Sequence, residues 1–157
     1  MTALAVAIYQ HREERKSTTI KYFREMVLTP DFFDVLRYDW RVCELLNSFE
    51  EVKMGKSDTV MIDGGLLVCS GRDEDTITNE LFRLAKLRFE SVEKAMRSGA
   101  WFLLPDRIRE SMDFMPSPDE IMEEPTHEKR QELIEQYYDA LGDVEDDIKN
   151  VLGLMVL

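Results

Sequence analysis

Apolar residues recur at spacings of three and four along most of the chain, which is the period of helices that bury one face. The first clear stripe follows Thr29-Pro30 and consists of Phe33, Leu36, Trp40, Cys43 and Leu46. Proline fits the first helical position, where its missing N–H would have no partner anyway. The pattern therefore predicts a helix from Pro30 to about Glu51.

A second long helix is expected from Asp73–Asp75 to Arg97, because acidic residues open the segment and Gly99 follows it. Acidic side chains stabilise the positive end of the helix dipole, and glycine suits the left-handed residue after the last turn. Shorter helices are predicted within 17–27, from 105 to about 112, and from 118 to the proline at 125. Residues 2–10 suit both helix and strand, and we favour helix because good helix formers follow them.

Two short β-prone runs interrupt the helical pattern at about residues 59–69. Thr59–Ile62 and residues 66–69 flank Asp63-Gly64-Gly65, and glycine adopts the positive φ angles of tight turns at little cost. The pattern predicts a small β-hairpin. Since two strands alone are marginally stable, we expect the hairpin to pack on helices or to gain a third short strand near 101–104, with residues 3–9 as the next candidate.

The C-terminal segment has the most regular period of the chain. Its two seven-residue series are Ile134, Leu141, Ile148 and Met155, and, offset by three, Tyr137, Val144 and Val151. Such a seam packs one helix face either on its own domain or on a helix of another chain. Gly142 lies inside the seam, so the segment is expected to form one bent helix or two short ones.

Composition narrows the class of protein. The 157 residues are 44% hydrophobic, with 7 Gly, 5 Pro and 2 Cys, which excludes disordered and collagen-like chains and disulfide scaffolds. We predict an α-rich α+β fold in a single domain over 1–157, with about five to seven helices, the hairpin, and an acidic helical region at 106–157. The longest apolar stretch, 3–9, is too short for a membrane span and lacks signal-peptide flanks, so a cytoplasmic location is expected.

The charge of the chain is concentrated in one region. The formal net charge is −12, and residues 106–150 hold 15 Asp or Glu against 5 Lys or Arg. A surface of this sign repels phosphates, which argues against direct nucleic-acid binding and favours a partner with a basic surface. The predicted partner-binding residues are Asp119, Glu120, Glu123, Glu124, Glu135, Asp139, Asp143, Asp146 and Asp147.

Candidate catalytic groups are few. The chain has 2 His, and the Glu124-x-x-His127 spacing of di-iron bundles occurs once and contains Pro125. Cys43 and Cys69 lie in apolar runs that raise thiol pKa values. No phosphate-binding glycine loop is present in the sequence. We therefore predict no enzyme activity, no catalytic residue, no metal and no cofactor.

These observations give one leading hypothesis and two alternatives. The first is a non-enzymatic interaction protein whose acidic region binds or inhibits a protein partner. Small acidic viral inhibitors of nucleic-acid enzymes are an analogy of charge and size only. The second is a self-assembling structural or accessory protein that forms homo-oligomers through the heptad seam. The third is an enzyme or small-ligand protein with a site near the hairpin or Cys69.

Overall fold

A computed structural model of the chain describes residues 3–7, 10, 28–62, 65–68 and 74–156, and over these residues the protein is mostly helical, as predicted. Residues 3–7 are helical, in agreement with the prediction for 2–10, whereas the predicted helix within 17–27 lies outside the described residues. The longer elements in chain order are α1 Pro30–Lys53, β1 Thr59–Ile62, β2 Gly65–Val68, α2 Glu74–Arg97, α3 Asp106–Asp113, α4 Pro118–Glu123 and α5 His127–Val156.

Helix α1 begins at Pro30 after an extended N-cap residue, Thr29, which confirms the predicted start. It packs against both α2 and α5, so it buries residues on more than one side. Phe32 is buried, whereas Phe33 is 46% exposed, and the prediction that Phe33 belongs to the buried stripe is wrong. The buried residues Phe32, Leu36, Asp39 and Cys43 follow at spacings of four, three and four. Phe33 is one residue on from Phe32 and therefore lies to one side of this face.

Strands β1 and β2 pair antiparallel, with Thr59 opposite Val68 and Ile62 opposite Gly65. β1 lies against α1, and its Val60 is fully buried. The predicted turn at residues 63 and 64 and the cysteine at 69 lie outside the described residues. The described sheet therefore consists of β1 and β2 and rests on α1.

The prediction of a third short strand near 101–104 is wrong, because Ala100–Leu103 forms a 3-10 helix. Gly99 ends α2 with a positive φ of 80°, as predicted for the residue after the last turn. Ala100 and Leu104 are buried while Phe102 is 62% exposed, which is the spacing of a helical turn and not the alternation of a strand. The chain thus passes directly from α2 into α3 without reaching the sheet.

Helix α5 forms one side of the core. Ile134, Tyr137 and Leu141 pack in a cluster with residues of α1, α2 and β1, and Val144 and Ile148 join a second cluster with α1 and α3. The predicted heptad seam is therefore buried within its own chain as far as Ile148. The helix runs without interruption through position 142, so the alternative of two short helices is wrong.

Candidate interaction surface

The outer side of α5 carries a row of exposed carboxylates, which we call the acidic stripe. Its members are Glu128, Glu132, Glu135, Asp139, Asp143 and Asp146, and all are exposed. Their spacing of three and four residues places them on one helix face, opposite the buried residues Tyr137 and Val144. At 1.5 Å per residue the stripe is about 27 Å long, with one carboxylate about every 5.4 Å.

No ion pair in the described part of the chain neutralises a member of the acidic stripe. None of its carboxylates takes part in an ion pair or a side-chain hydrogen bond among the described residues. Adjacent members lie within the screening length of about 8 Å at physiological salt, so they repel one another. Like charges at this spacing destabilise a helix by a few tenths of a kcal/mol per pair, roughly 0.2–0.5. The stripe therefore opposes folding of α5 and raises the local negative potential.

The stripe contains four of the nine predicted partner-binding residues, namely Glu135, Asp139, Asp143 and Asp146. The structure adds Glu128 and Glu132, which we did not predict. The signal was present in the sequence, since carboxylates recur at helical spacing on the side away from the apolar seam. A count of charge by segment does not separate one face of a helix from the other.

Three further predicted residues, Asp119, Glu120 and Glu123, are exposed on the short helix α4. This helix is held by Ile121, which is 2% exposed and packs in the same cluster as Ile134. The carboxylates of α4 therefore form a second exposed acidic group, carried by a separate helix.

The remaining two predicted residues are engaged inside the chain. Asp147 is buried, and its Oδ1 pairs with Arg107 Nε at 3.2 Å. Glu124 is half-buried at the C-cap of α4, where its backbone carbonyl accepts a hydrogen bond of 2.9 Å from Arg130. Asp147 is less available to a partner than the members of the stripe.

The arginines of the acidic region are also used internally. Arg107 pairs with Asp147, Arg109 with Asp106, and Arg130 with Glu50. Two exposed lysines, Lys129 and Lys149, complete the cations of residues 106–150.

Helix α2 carries five cations, Arg83, Lys86, Arg88, Lys94 and Arg97. Three of them form ion pairs with carboxylates outside residues 106–150, since Arg83 pairs with Glu80, Arg97 with Glu93 and Arg88 with Asp39. The negative excess of 106–150 thus stays on the surface.

A shallow concavity of about 470 Å³ lies along the first half of the stripe. Its lining combines stripe carboxylates with neighbouring side chains of the same helix, namely Lys129, Glu132, Leu133, Glu135, Gln136 and Asp139. An extended cationic side chain could lie in this concavity with carboxylates on both sides.

The N-terminal end of α5 is attached to α1 through a buried carboxylate, Glu50. Arg130 Nε donates to both oxygens of Glu50 at 3.0 and 2.9 Å, and His127 Nδ1 donates to Oε1 at 2.5 Å. Burial alone would raise the pKa of Glu50, but the hydrogen bonds from Arg130 and His127 outweigh it and the pKa lies below its ordinary value. His127 thus contacts Glu50.

The thiol of Cys43 is buried in the core beneath α5. Burial raises the pKa of Cys43 to about 12, and its sulfur lies 4.0 Å from the backbone carbonyl of Ile134. A thiol with this pKa is almost entirely protonated at neutral pH and is a poor nucleophile. Cys43 therefore acts as a small core residue.

Features of a metal site and of a membrane span are absent from the described residues. They contain no group of three or more His, Cys, Asp or Glu side chains arranged to hold a metal ion. None of the helices in this part of the chain combines the length and apolar character needed to cross a bilayer.

Comparison of the chain with protein-family models, with curated proteins and with solved structures gave no significant match.

Proposed function

We propose that the chain is a non-enzymatic interaction protein that presents the acidic stripe to a partner with a basic surface, and so binds or inhibits that partner. The observation that carries the proposal is the row of exposed carboxylates on α5, none of which forms an ion pair within the described residues. A row of like charges costs helix stability, so its presence is easier to explain by a use outside the chain.

The spacing of the charges along α5 indicates the kind of partner. The stripe carries one carboxylate about every 5.4 Å of helix, whereas one strand of duplex DNA carries a phosphate about every 3.4 Å. The stripe is sparser than a single strand, so we propose a basic groove or patch on a protein as its first target. Charge mimicry of nucleic acid is the narrower form of the proposal, and it requires the α4 carboxylates as a second row.

The mode of action follows from long-range electrostatics. Complementary potentials speed encounter and select partners more than they raise affinity, and their effect falls as salt increases. We therefore propose binding that is fast, strongly salt-dependent and independent of any cofactor. Direct contact with nucleic acid or with a membrane is not part of the proposal.

The experiment compares two variants that remove the same charge from different places. The stripe variant carries Glu132→Gln, Glu135→Gln, Asp139→Asn and Asp143→Asn. The control variant carries Glu51→Gln, Asp58→Asn, Glu90→Gln and Asp113→Asn, all at exposed positions off the stripe. Each variant loses four negative charges. Immobilised wild type and variants are exposed to a lysate of the source cells at low salt, and bound proteins are eluted with a salt gradient and identified.

We expect wild type and the control variant to retain the same partner, and the stripe variant to lose it or release it at lower salt. If both variants lose the partner equally, net charge and not the stripe is responsible. If neither loses it, the acidic surface has no part in binding. Either result overturns the proposal.

Other sequence-based predictions remain part of this proposal. They are the single-domain organisation, the complete hairpin at about 59–69 and the cytoplasmic location. Self-assembly through the heptad seam gains no support from the packing, because the seam positions from Ile134 to Ile148 are already buried. A homo-oligomer would have to form through a face other than these positions.

A further inference from the structure

A cavity of about 370 Å³ lies between α1, α2, α5 and the segment that joins α3 to α4. Most of its wall is apolar, with Val42 on α1, Phe89 and Val92 on α2, and Met115 before α4. Its polar wall is formed by Asp39, Arg88 and Tyr137. The cavity is therefore an apolar space with hydrogen-bonding groups gathered on one side, which is the usual composition of a small-molecule site.

Asp39 is the most deeply buried member of the polar wall, with 2% of its surface exposed. Arg88 Nε donates to Asp39 Oδ1 at 2.6 Å, and the Tyr137 hydroxyl donates to the same oxygen at 3.3 Å. The second oxygen, Oδ2, is buried and has no hydrogen-bond partner among the described residues. Within the described residues, Oδ1 therefore accepts two hydrogen bonds and Oδ2 accepts none.

An unsatisfied buried acceptor is uncommon in native proteins, because the lost hydration is not replaced. Burial raises the pKa of Asp39 even though Arg88 acts to lower it, which agrees with a carboxylate that is short of donors. Because Asp39 lines the cavity, a donor held in that space would lie beside its carboxylate.

The charge balance selects the kind of donor. Asp39 and Arg88 together are neutral, so an additional ammonium group would lie close to the guanidinium without an extra anion to offset it. An uncharged N–H or O–H group avoids this repulsion. The ring of Phe89 and the thioether of Met115 favour contact with a flat aromatic body. The volume lies near the lower end of the range for ligand sites and suits one or two rings.

We propose that this cavity binds an uncharged aromatic molecule that bears a single N–H or O–H donor, with the donor bonded to Asp39 Oδ2 and the ring seated against Phe89 and Met115. The site is distinct from the acidic stripe, which lies on the opposite face of α5 from Tyr137. It is also distinct from the hairpin and Cys69, where the sequence had suggested a ligand site.

The test uses three probes that share the indole ring system. Indole carries an uncharged N–H donor, 1-methylindole has the same ring system without the donor, and tryptamine adds a cation. Binding to the full chain is measured by ¹H–¹⁵N correlation spectra, including the Arg88 Nε–H signal. We expect indole to bind about tenfold more tightly than 1-methylindole, which corresponds to one hydrogen bond, and tryptamine not to exceed indole.

Two variants locate the site. Asp39→Asn keeps the shape of the side chain and is expected to lower indole affinity about tenfold. Because Asp39 is buried and that variant can disturb the fold, Ala85→Phe serves as the second, since Ala85 is exposed and lines the cavity. It should block indole binding, while Lys86→Phe, at the next exposed position outside the lining, should not.

Equal binding of indole and 1-methylindole would overturn the proposed donor contact. Tighter binding of tryptamine would overturn the preference for an uncharged ligand. Absence of any spectral change, as expected if only water occupies the cavity, would overturn the site itself. Indole binding that Ala85→Phe leaves unchanged would place the site elsewhere on the protein.

Discussion

The carboxylates buried against α5 and those exposed on its outer face differ in whether they are paired with a cation. Asp39 and Glu50 lie in the interior, and each is bonded to an arginine from another helix, Arg88 and Arg130 respectively. On the outer face, none of the six carboxylates of the acidic stripe forms an ion pair within the described residues.

The difference shows at which carboxylates a counter-ion matters for stability. A buried carboxylate without a counter-ion is strongly destabilising, whereas an exposed one is solvated and costs little. Within residues 106–150, Arg107, Arg109 and Arg130 form internal ion pairs, which leaves two lysines, Lys129 and Lys149, against the carboxylates of the surface. The negative excess of the C-terminal region is thus a property of one helix face and the neighbouring α4.

The largest effect is expected from removing the cation of a buried pair. Arg88→Met leaves Asp39 buried without a counter-ion and should lower the free energy of unfolding by about 3–5 kcal/mol. Urea unfolding followed by circular dichroism measures the change. Lys86→Met, at an exposed position of the same helix, is the control and should change stability little. Equal effects of the two substitutions would mean that the buried pair has no special role.

Removal of the second buried carboxylate should change the response to acid. The pKa of Glu50 is lower in the folded chain than its ordinary value of 4.5, so its stabilising effect is complete above that value and is lost as the pH falls through the lower folded pKa. Glu50→Gln should cost about 2 kcal/mol at neutral pH and weaken the loss of stability below pH 4.5. Glu51→Gln, at the exposed position next to Glu50, should leave the pH dependence of stability as in wild type. A wild-type pH dependence in Glu50→Gln as well would refute the role of the Glu50 carboxylate.

The boundary between the two faces of α5 contains a glycine whose replacement should stabilise the helix. A Cβ at Gly142 would meet no atom within 4 Å, so Gly142→Ala should raise the free energy of unfolding by about 0.5–1 kcal/mol. Gly99→Ala should have the opposite sign, because Gly99 has a φ of 80°. Thermal unfolding distinguishes the two, and destabilisation by Gly142→Ala would indicate a bend at that position.

The smallest effect is expected on the acidic stripe, and it has the opposite sign to that of the buried carboxylates. Glu135→Gln should stabilise the protein by roughly 0.2–0.5 kcal/mol at low salt, because it removes repulsion from neighbours three and four residues away. The gain should vanish at high salt. Asp58→Asn, which lies off the stripe, should not show this salt dependence. A loss of stability in Glu135→Gln would reveal a stabilising contact of this carboxylate.

The long helices could be predicted from the sequence because their apolar periods and their ends agree. Pro30, Pro105 and Pro118 stand at or just before helix starts, and Gly99 stands at the predicted left-handed position. The strand near 101–104 was predicted wrongly because a short apolar run does not distinguish a strand from a 3-10 turn. The structure of this run depends on Gly99, which ends α2 with a positive φ and directs the chain toward α3.

The candidate sites were less accessible to sequence reasoning. The acidic region was found by its charge, but its division into an exposed stripe and engaged residues depends on which side of α5 packs on the core. Asp147 illustrates this, since it is one residue from the exposed Asp146 and is buried beside Arg107. Asp39 interrupts an apolar period of α1, which was a signal that we did not use. Its arginine is 49 residues away, and tertiary packing alone brings the two together.

The most direct test of the acidic stripe as a binding face is zero-length cross-linking of the wild-type protein to its captured partner with a carbodiimide, which joins carboxylates to lysines in contact. Mass spectrometry then locates the joined carboxylates. We expect cross-links at Glu132, Glu135, Asp139 and Asp143, with their yield falling as salt increases. Cross-links concentrated instead at Glu51, Asp58, Glu90 or Asp113 would contradict the proposal, because those carboxylates are exposed but lie outside the stripe.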